Sequence, residues 1–226
     1  MSEPLISVVI PVFNGERFLA QTIESVRGQT WPRVELIVVD DSSTDGSAAI
    51  ARSYPLRYLC QEHAGVAAAR NRGLAAARGE LISFLDHDDL WLPQKLERQV
   101  QCLLDNPKAE MCACEMEVFL QPGFDQAWLN LGWMDGSHLA TQLGLLLVLR
   151  AVFGRVGGFD ASYRSNSDMD WVLRARDRGV PIAFLREPLQ LYRVHGENYS
   201  AGVTGRQRDT ARALQASIAR KRSSHA

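Results

Sequence analysis

The chain has 226 residues, 46% of them hydrophobic, and 25 basic against 26 acidic side chains, for a formal net charge of −1. That length suits one large α/β domain or two small ones, and the charge excludes any bulk electrostatic attraction to nucleic acid. The longest apolar run, Leu143 to Leu149, is far below the roughly 20 residues that cross a bilayer.

Leu5 to Ile10 is a β-branched run closed by Pro11, which predicts a buried strand. Phe18, Leu19, Ile23 and Val26 recur at helical spacing and predict an amphipathic helix ending near Gly28. Val34 to Val39 predicts the second strand, running into Asp40 and Asp41. Ser42, Ser43, Thr44 and Asp45 are N-cap candidates for a helix through Ala48, Ala49 and Ile50. A third strand is expected from Leu56 to Leu59, an alanine-rich helix from Gly65 to Ala77, and another strand from Leu81 to Leu85. This alternation indicates βαβ units and a parallel sheet with helices on both faces. In such sheets ligands bind outside the carboxyl ends of the strands. Phe13-Asn14, Asp40-Asp41 and Asp86 to Asp89 all fall at such ends.

Further on, a helix from about Pro93 to Leu104 should stop before Asn106-Pro107, and Met111 to Leu120 predicts a strand. An irregular stretch with Trp128, Gly132, Trp133 and Gly136 follows, then an apolar segment and a turn at Gly157-Gly158-Phe159-Asp160. An acidic helix holding Asp168 and Asp170 comes next. A strand from Ile182 to Leu185 precedes Tyr192-Arg193-Val194-His195. We read residues 1–226 as a single domain. Residues 1–105 are the nucleotide-binding half, 106–200 the acceptor-side half, and 201–226 a basic C-terminal helix or tail. In that tail Ala211, Leu214 and Ile218 share a helical face beside Arg206, Arg208, Arg212, Arg220, Lys221 and Arg222. Both peripheral contact with anionic lipid and a helix packed on the domain fit this pattern.

The four cysteines form no framework. Cys60 and Cys102 stand alone, Cys112 and Cys114 share a strand face, and no spacing completes a zinc site. Buried free thiols in a reducing compartment are the expectation. Met1-Ser2-Glu3-Pro4 lacks the basic-then-apolar pattern of a secretory signal, so a cytoplasmic placement is expected.

Asp86-His87-Asp88-Asp89 concentrates the chemistry. Crowded carboxylates disfavour one another's ionisation. A hard cation relieves this, and oxygen ligands suit Mg²⁺ or Mn²⁺ better than zinc. D-x-D-D at a strand end is thus a candidate metal–diphosphate site, with a solvated acidic turn as the alternative.

Taken together, several segments resemble the family 2 glycosyltransferases, inverting enzymes of the GT-A fold. They are ISVVIPVFNGERFLAQTIESVRGQT, VELIVVDDSSTDGS, GVAAARNRGLAAARGELISFLDHDDLWLPQKLE, GGFDASYRSNSDMDWVLRARDRG and YRVHGEN, in the family's order up to about residue 200. The resemblance implies an α/β, GT-A type fold: a nucleotide-binding, Rossmann-like, mostly parallel central sheet with flanking helices, plus an acceptor-side half. It further implies transfer of a sugar from a nucleoside-diphosphate sugar, a UDP-sugar first, to a hydroxyl acceptor (a glycan, a lipid-linked group or another). The setting would be cell-surface polysaccharide or glycoconjugate synthesis, with Mg²⁺ or Mn²⁺ as cofactor; a peripheral place at the inner membrane face is an expectation from the basic C-terminal segment.

By position, the resemblance implies a nucleotide site of Pro11, Phe13, Asp41, Arg70 and Asp86. Phe13 would stack on the base, Asp41 accept a hydrogen bond from it, Arg70 lie near the phosphates, and Asp86 face the ribose. Asp88 would bind the cation, His195 would reach the metal or diphosphate, and Asp168 would be the general base. The residues alone leave other roles open. Phe13 could be core, Asp41 a turn residue, Arg70 a structural partner of Asp41, and His195 a packed histidine. His87 is expected to point away from the metal. Asp170 and Arg174 have the spacing of a surface ion pair worth roughly a few tenths of a kcal/mol. Family members usually carry Glu-Asp where this chain has Ser167-Asp168, so a catalytically weakened nucleotide-sugar-binding module is the alternative. No glycine-rich basic loop of a pyrophosphorylase and no G-x-G-x-x-G of a dehydrogenase follows the first strand.

Overall fold

Seven consecutive buried residues, Ile6–Val12, form β1. A strand covered on both faces reads as an unbroken apolar run, and its surroundings supply that cover. β2 (Val34–Asp40) and β4 (Leu81–Phe84) flank it, both parallel, and β3 (Arg57–Cys60) extends the sheet beyond β2. The crossovers are α1 (Leu19–Arg27), α2 (Ser47–Arg52) and α3 (Val66–Ala76). The computed structural model describes residues 3–121, 142–196 and 203–223.

The two-residue period of a strand sends alternate side chains to opposite faces. Val8, Ile10 and Val12 join Leu19, Ile23 and Ala51 in one core, while Val9 joins Ala67, Ala69, Phe84 and Trp171 in the other. Gly73 lets α3 lie close to the sheet, since a Cβ there would fall 2.3 Å from Val9 Cγ1.

The later elements are β5 (Leu90–Trp91), α4 (Lys95–Asp105), β6 (Met111–Leu120), a 3₁₀ turn (Leu143–Leu145), β7 (Leu146–Leu149) and α5 (Arg150–Val156). α6 (Ser167–Asp177), β8 (Ile182–Val194) and α7 (Val203–Ser223) complete them. The eight strands form one sheet in the order β3-β2-β1-β4-β7-β6-β8-β5. β7 runs antiparallel to β4 and β6, β8 parallel to β6, and β5 antiparallel to β8. The expected α/β class with a mostly parallel sheet and flanking helices is what the chain adopts. Among the described residues no helix is long and apolar enough to cross a membrane.

Several local expectations need correction. The strand expected to stop at Leu185 continues to Val194, so Arg193 lies inside β8. Pro188 would normally end a central strand, but register shifts beside Glu115 on β6 accommodate it. α2 starts only at Ser47, with Gly46 at the cap, and Asp45 serves it by accepting from the Ser47 N–H at 3.0 Å. The Asp170–Arg174 pair is not a surface pair: its side chains are 5% and 15% exposed. Arg174 also donates to the Val156 and Gly158 carbonyls, which fastens α6 to the end of α5. Cys112 and Cys114 are buried free thiols as expected, but Cys60 is exposed and Cys102 is half-buried against Cys112. Trp128, Gly132, Trp133 and Gly136 lie outside the described residues.

Candidate active site

The carboxyl ends of β1, β2 and β4 build one rim. At the first, the Phe13–Glu16 loop is laced to the serine-rich segment that follows β2. The N–H groups of Asn14, Gly15 and Glu16 donate to Ser43 Oγ, Ser47 Oγ and Asp45 Oδ2 at 3.0, 2.8 and 2.9 Å, and Asn14 Oδ1 accepts from the Thr44 N–H. Those bonds explain why Ser, Thr and Asp gather there: their short side chains satisfy loop N–H groups. Phe13 is left 43% exposed, its ring 4.4 Å from that of His63. Pro11 stays within β1, buried and opposite Val39.

Asp41 is 3% exposed. Its Oδ1 accepts from Gln61 Nε2 and the Ala64 N–H at 2.7 and 2.9 Å. Its Oδ2 accepts from the Gly65 N–H at 2.8 Å and lies 3.0 Å from His63 Nδ1. Three donors thus hold the carboxylate, and His63 Nδ1 is also 3.1 Å from the Asp41 carbonyl. Asp41 therefore shapes the turn that enters α3.

Arg70 does not pair with Asp41. It donates from Nη2 to Asp86 Oδ1 at 2.9 Å, and its buried Nε has no hydrogen-bond partner among the described residues. The next residue, Asn71, donates to and accepts from the Phe159 backbone at 2.8 Å each, so α3 holds the turn that leads to α6.

The acidic turn is held from two sides. From α1, the Thr22 hydroxyl lies within hydrogen-bond reach of the His87 and Asp89 carbonyls. From β8, Arg193 donates through Nε to the Asp88 carbonyl at 2.7 Å and through Nη2 to Gln21 at 2.8 Å. Its guanidinium lies over the rings of Phe18 and Phe119. The Asp89 carboxylate accepts from the Arg193 N–H and from Gln190 Nε2, both at 2.9 Å. Burial raises its pKa well above the usual carboxylate range, and the charges of Asp88 and Asp86 add to this against Arg193. His87 packs its ring over Gly15, where a Cβ would lie 2.4 Å from it.

Asp88 behaves oppositely. Burial pushes its pKa up, but the hydrogen bond from His195 and the charges of His87 and His195 outweigh that, and the net shift is downward. His195 Nε2 is 3.1 Å from Asp88 Oδ2, and the histidine ring is 4.6 Å from that of Phe18.

Asp168 occupies the first turn of α6. Burial raises its pKa, the Arg70 charge opposes, the Asp86 charge reinforces, and the result is raised. Asn166, just before it, is held at φ 57° and donates to Thr210 Oγ1 at 2.7 Å, while Asp209 Oδ2 accepts from the Ser165 N–H at 2.8 Å. Helix α7 thus braces the approach to Asp168. Ser167 is 1% exposed and its hydroxyl has no partner among the described residues.

The structure brings together Arg70 and Asp86 within the electrostatic reach of Asp168, and Asp88 with His195. Phe13 and Asp41 meet only through His63. His63, Gln21 and Gln190 were not foreseen, and no spacing in the sequence points to them; Phe18 was read as an apolar position of the first helix, and its contacts with His195 and Arg193 were not foreseen. Backbone strain is also concentrated here. The described non-glycine residues at positive φ are Asn14, Ser42 and Asn166, each beside one of the residues above. Such strain persists where surrounding bonds over-determine it.

Among the described residues no group of three or more His, Cys, Asp or Glu side chains could by itself hold a metal ion. Mg²⁺, however, is typically bound by one or two carboxylates, with substrate phosphates and water completing the shell. Asp88, kept ionised beside His195, suits that division of ligands.

Residues 7–159 match the model of glycosyl transferase family 2, and the chain belongs to that family. An uncharacterized glycosyltransferase of Rickettsia typhi is 34% identical over 208 residues, which is 85% of this chain and 64% of that protein. The chain thus spans less than two thirds of the length of that relative. Among solved structures, S. aureus TarS 1-349 in complex with UDP superposes with a TM-score of 0.74 at 20% identity, covering 96% of this chain and 65% of that one. The mannosyltransferase PcManGT from Pyrobaculum calidifontis, in complex with GDP-Man and Mn²⁺, gives 0.75 at 21% identity, with the same coverages. These likenesses extend the agreement in fold over nearly the whole chain.

Proposed function

We propose that the chain is an inverting glycosyltransferase that moves a sugar from a nucleoside-diphosphate sugar to a hydroxyl acceptor. The donor would be a UDP-sugar first and a GDP-sugar second. The acceptor would be a glycan or a lipid-linked group in cell-surface polysaccharide or glycoconjugate synthesis, at the cytoplasmic face of a membrane. The observation that carries this is one rim with two carboxylates pushed apart: Asp88 held low beside His195, and Asp168 raised across the Arg70–Asp86 pair. Opposed shifts in one site are how a fold separates a charge-holding carboxylate from a proton-accepting one.

In this reading Asp168 takes the proton of the acceptor hydroxyl, whose oxygen attacks the anomeric carbon as the bond to the diphosphate breaks. One carboxylate on the acceptor side suits a single displacement with inversion, and no covalent intermediate is needed. Arg70 orients Asp86 toward the donor, and Phe13 with His63 offers the base an aromatic surface. Asp41, bonded by Gln61 and the Ala64 and Gly65 N–H groups with His63 beside it, holds that surface and keeps little acceptor capacity for direct contact with a base. Asp88 and His195 would hold Mg²⁺ or Mn²⁺, which supplies charge neutralisation for the departing diphosphate.

The test is nucleoside diphosphate release from UDP-glucose, UDP-GlcNAc and GDP-Man with Mn²⁺. Release by the wild type, lost in EDTA and in Asp168→Asn, is expected. Full release in excess EDTA would sink the metal-assisted part. One observation favours a second reading, a weakened binding module: Ser167, at the place of the family's usual glutamate, has a buried hydroxyl with no partner among the described residues. Nucleotide binding with no release from any donor would favour that module.

A further inference from the structure

Helix α7 is oriented against the economy of a packed helix. A helix on a domain normally turns its large apolar side chains inward. Here Ala213, fully buried, and Ser217 face α6, while Leu214 and Ile218 are 44% and 52% exposed. The inward side is fixed by polar contacts: Ser217 Oγ donates to Asp177 Oδ1 at 2.8 Å, Arg220 Nε to Asp177 Oδ2 at 2.7 Å, and Arg212 Nη2 to Ser162 Oγ at 2.8 Å. At 3.6 residues per turn, exposed Ala211, Leu214, Ile218 and Arg222 fall on one outward stripe, flanked by Arg208 and Lys221.

Charge says what covers that stripe. The helix carries six basic residues against one acid, Asp209, in a chain whose net charge is −1. Arg212, Arg220 and Lys221 lie within 4 Å of Asp160 or Asp177. Arg208 and Arg222 are exposed and have no carboxylate partner among the described residues. A short apolar strip edged by unneutralised cations fits a surface that is apolar beneath and anionic at its face.

We propose that the outer face of α7 docks on an anionic membrane surface, with Leu214 and Ile218 entering the headgroup boundary and Arg208 and Arg222 meeting lipid phosphates. Because α7 also holds Ser165 and Asn166 through Asp209 and Thr210, docking brings a membrane-borne acceptor to the side of the cleft where Asp168 stands. That last step rests on the reading of Asp168 as the base; the docking does not.

The experiment is cosedimentation of the full chain with vesicles of phosphatidylglycerol and phosphatidylcholine in equal parts, against phosphatidylcholine alone. Pelleting with the anionic vesicles only is expected. Arg208→Gln with Arg222→Gln should weaken it by about 30-fold, since each basic residue near such a surface contributes roughly fivefold. Leu214→Glu with Ile218→Glu should abolish it. Both double variants should keep the wild-type melting midpoint and its response to UDP and GDP with Mn²⁺, which separates loss of docking from loss of the nucleotide site. No pelleting of the wild type, or undiminished pelleting of the Leu214→Glu, Ile218→Glu variant, overturns the proposal. So does a wild-type dimer in solution that this variant converts to monomer, because the stripe would then be covered by a second copy.

Discussion

Asp168 and Asp88 share one rim, yet their neighbours drive them in opposite directions. The consequence is an order of losses on acidification. As the proposed general base Asp168 must be ionised to act, so turnover should fall as pH drops through its raised pKa, above the ordinary carboxylate value of about 3.9. Asp88, lowered, stays ionised to a more acid pH, so nucleotide binding with Mn²⁺ should outlast turnover. Paired pH profiles of kcat and of nucleotide affinity check this, and coincident profiles contradict it. Asp168→Asn should cut kcat by about 10²–10⁴-fold with little change in donor KM. If the loss falls in donor affinity instead, Asp168 is a binding residue. Asp89 has a different duty, since it satisfies Gln190 and the Arg193 N–H inside the fold. Asp89→Ala leaves two buried donors unpaired, at roughly 1–3 kcal/mol each, and Asp89→Asn should cost less. Urea denaturation of both variants measures the difference.

The Asp86 to Asp89 turn was legible because four polar residues end an apolar strand. The roles within it were not, because Asp88 and Asp89 differ only in what β8 presents to each. His63 had no signal at all, being placed by the turn that Asp41 organises.

At the scale of elements, the first half was legible because β1, β2 and β4 are short, mostly apolar runs separated by helix-forming segments. β8 was not, because Pro188 reads as a stop unless it is known that β8 bulges there, carrying extra residues opposite Glu115 of β6. α4 hides another exception in Lys95, fully buried, with Nζ bonded to Gln99 Oε1 at 2.8 Å and 4.0 Å from the centre of the Trp91 ring. Burial lowers its pKa to about 8. The folded chain therefore binds this proton less tightly than the unfolded one. Stability should rise with pH from about 8 to about 10.5, by about 3 kcal/mol at 1.36 kcal/mol per pH unit. Lys95→Met should remove that rise, and be more stable than the wild type below pH 8. Melting curves across the window test this; equal slopes for the two proteins contradict it. The bracing of α6 by α7 gives a further expectation. Asp209→Ala should lower kcat by roughly ten- to a hundredfold by loosening the approach to Asp168, with nucleotide affinity unchanged. Asp209→Asn, which keeps an acceptor oxygen for the Ser165 N–H, should largely restore it.

Over the whole molecule, the sheet passes from parallel to antiparallel at β7, between β4 and β6. β5, which directly follows the acidic turn, pairs antiparallel with β8 at the far edge of the sheet, Leu90 with Leu191 and Trp91 with Gln190, and this sets the turn beside the end of β8, although about a hundred residues separate Asp88 from His195. No periodicity encodes such a crossing, which explains why the strand order was not legible while the fold class was. We propose that this junction binds a nucleoside diphosphate through a divalent cation at Asp88. Its most direct test is the melting midpoint with UDP, GDP, CDP or dTDP, each with Mn²⁺ and with EDTA, for the wild type and Asp88→Ala. A ligand at a hundred times its Kd stabilises by about 2.7 kcal/mol, which for a chain of this size is roughly 5 to 10 °C. A shift of that size is expected for at least one nucleotide with Mn²⁺, absent in EDTA and absent in Asp88→Ala. No shift with any of the four, or a shift that survives both EDTA and the loss of Asp88, contradicts it.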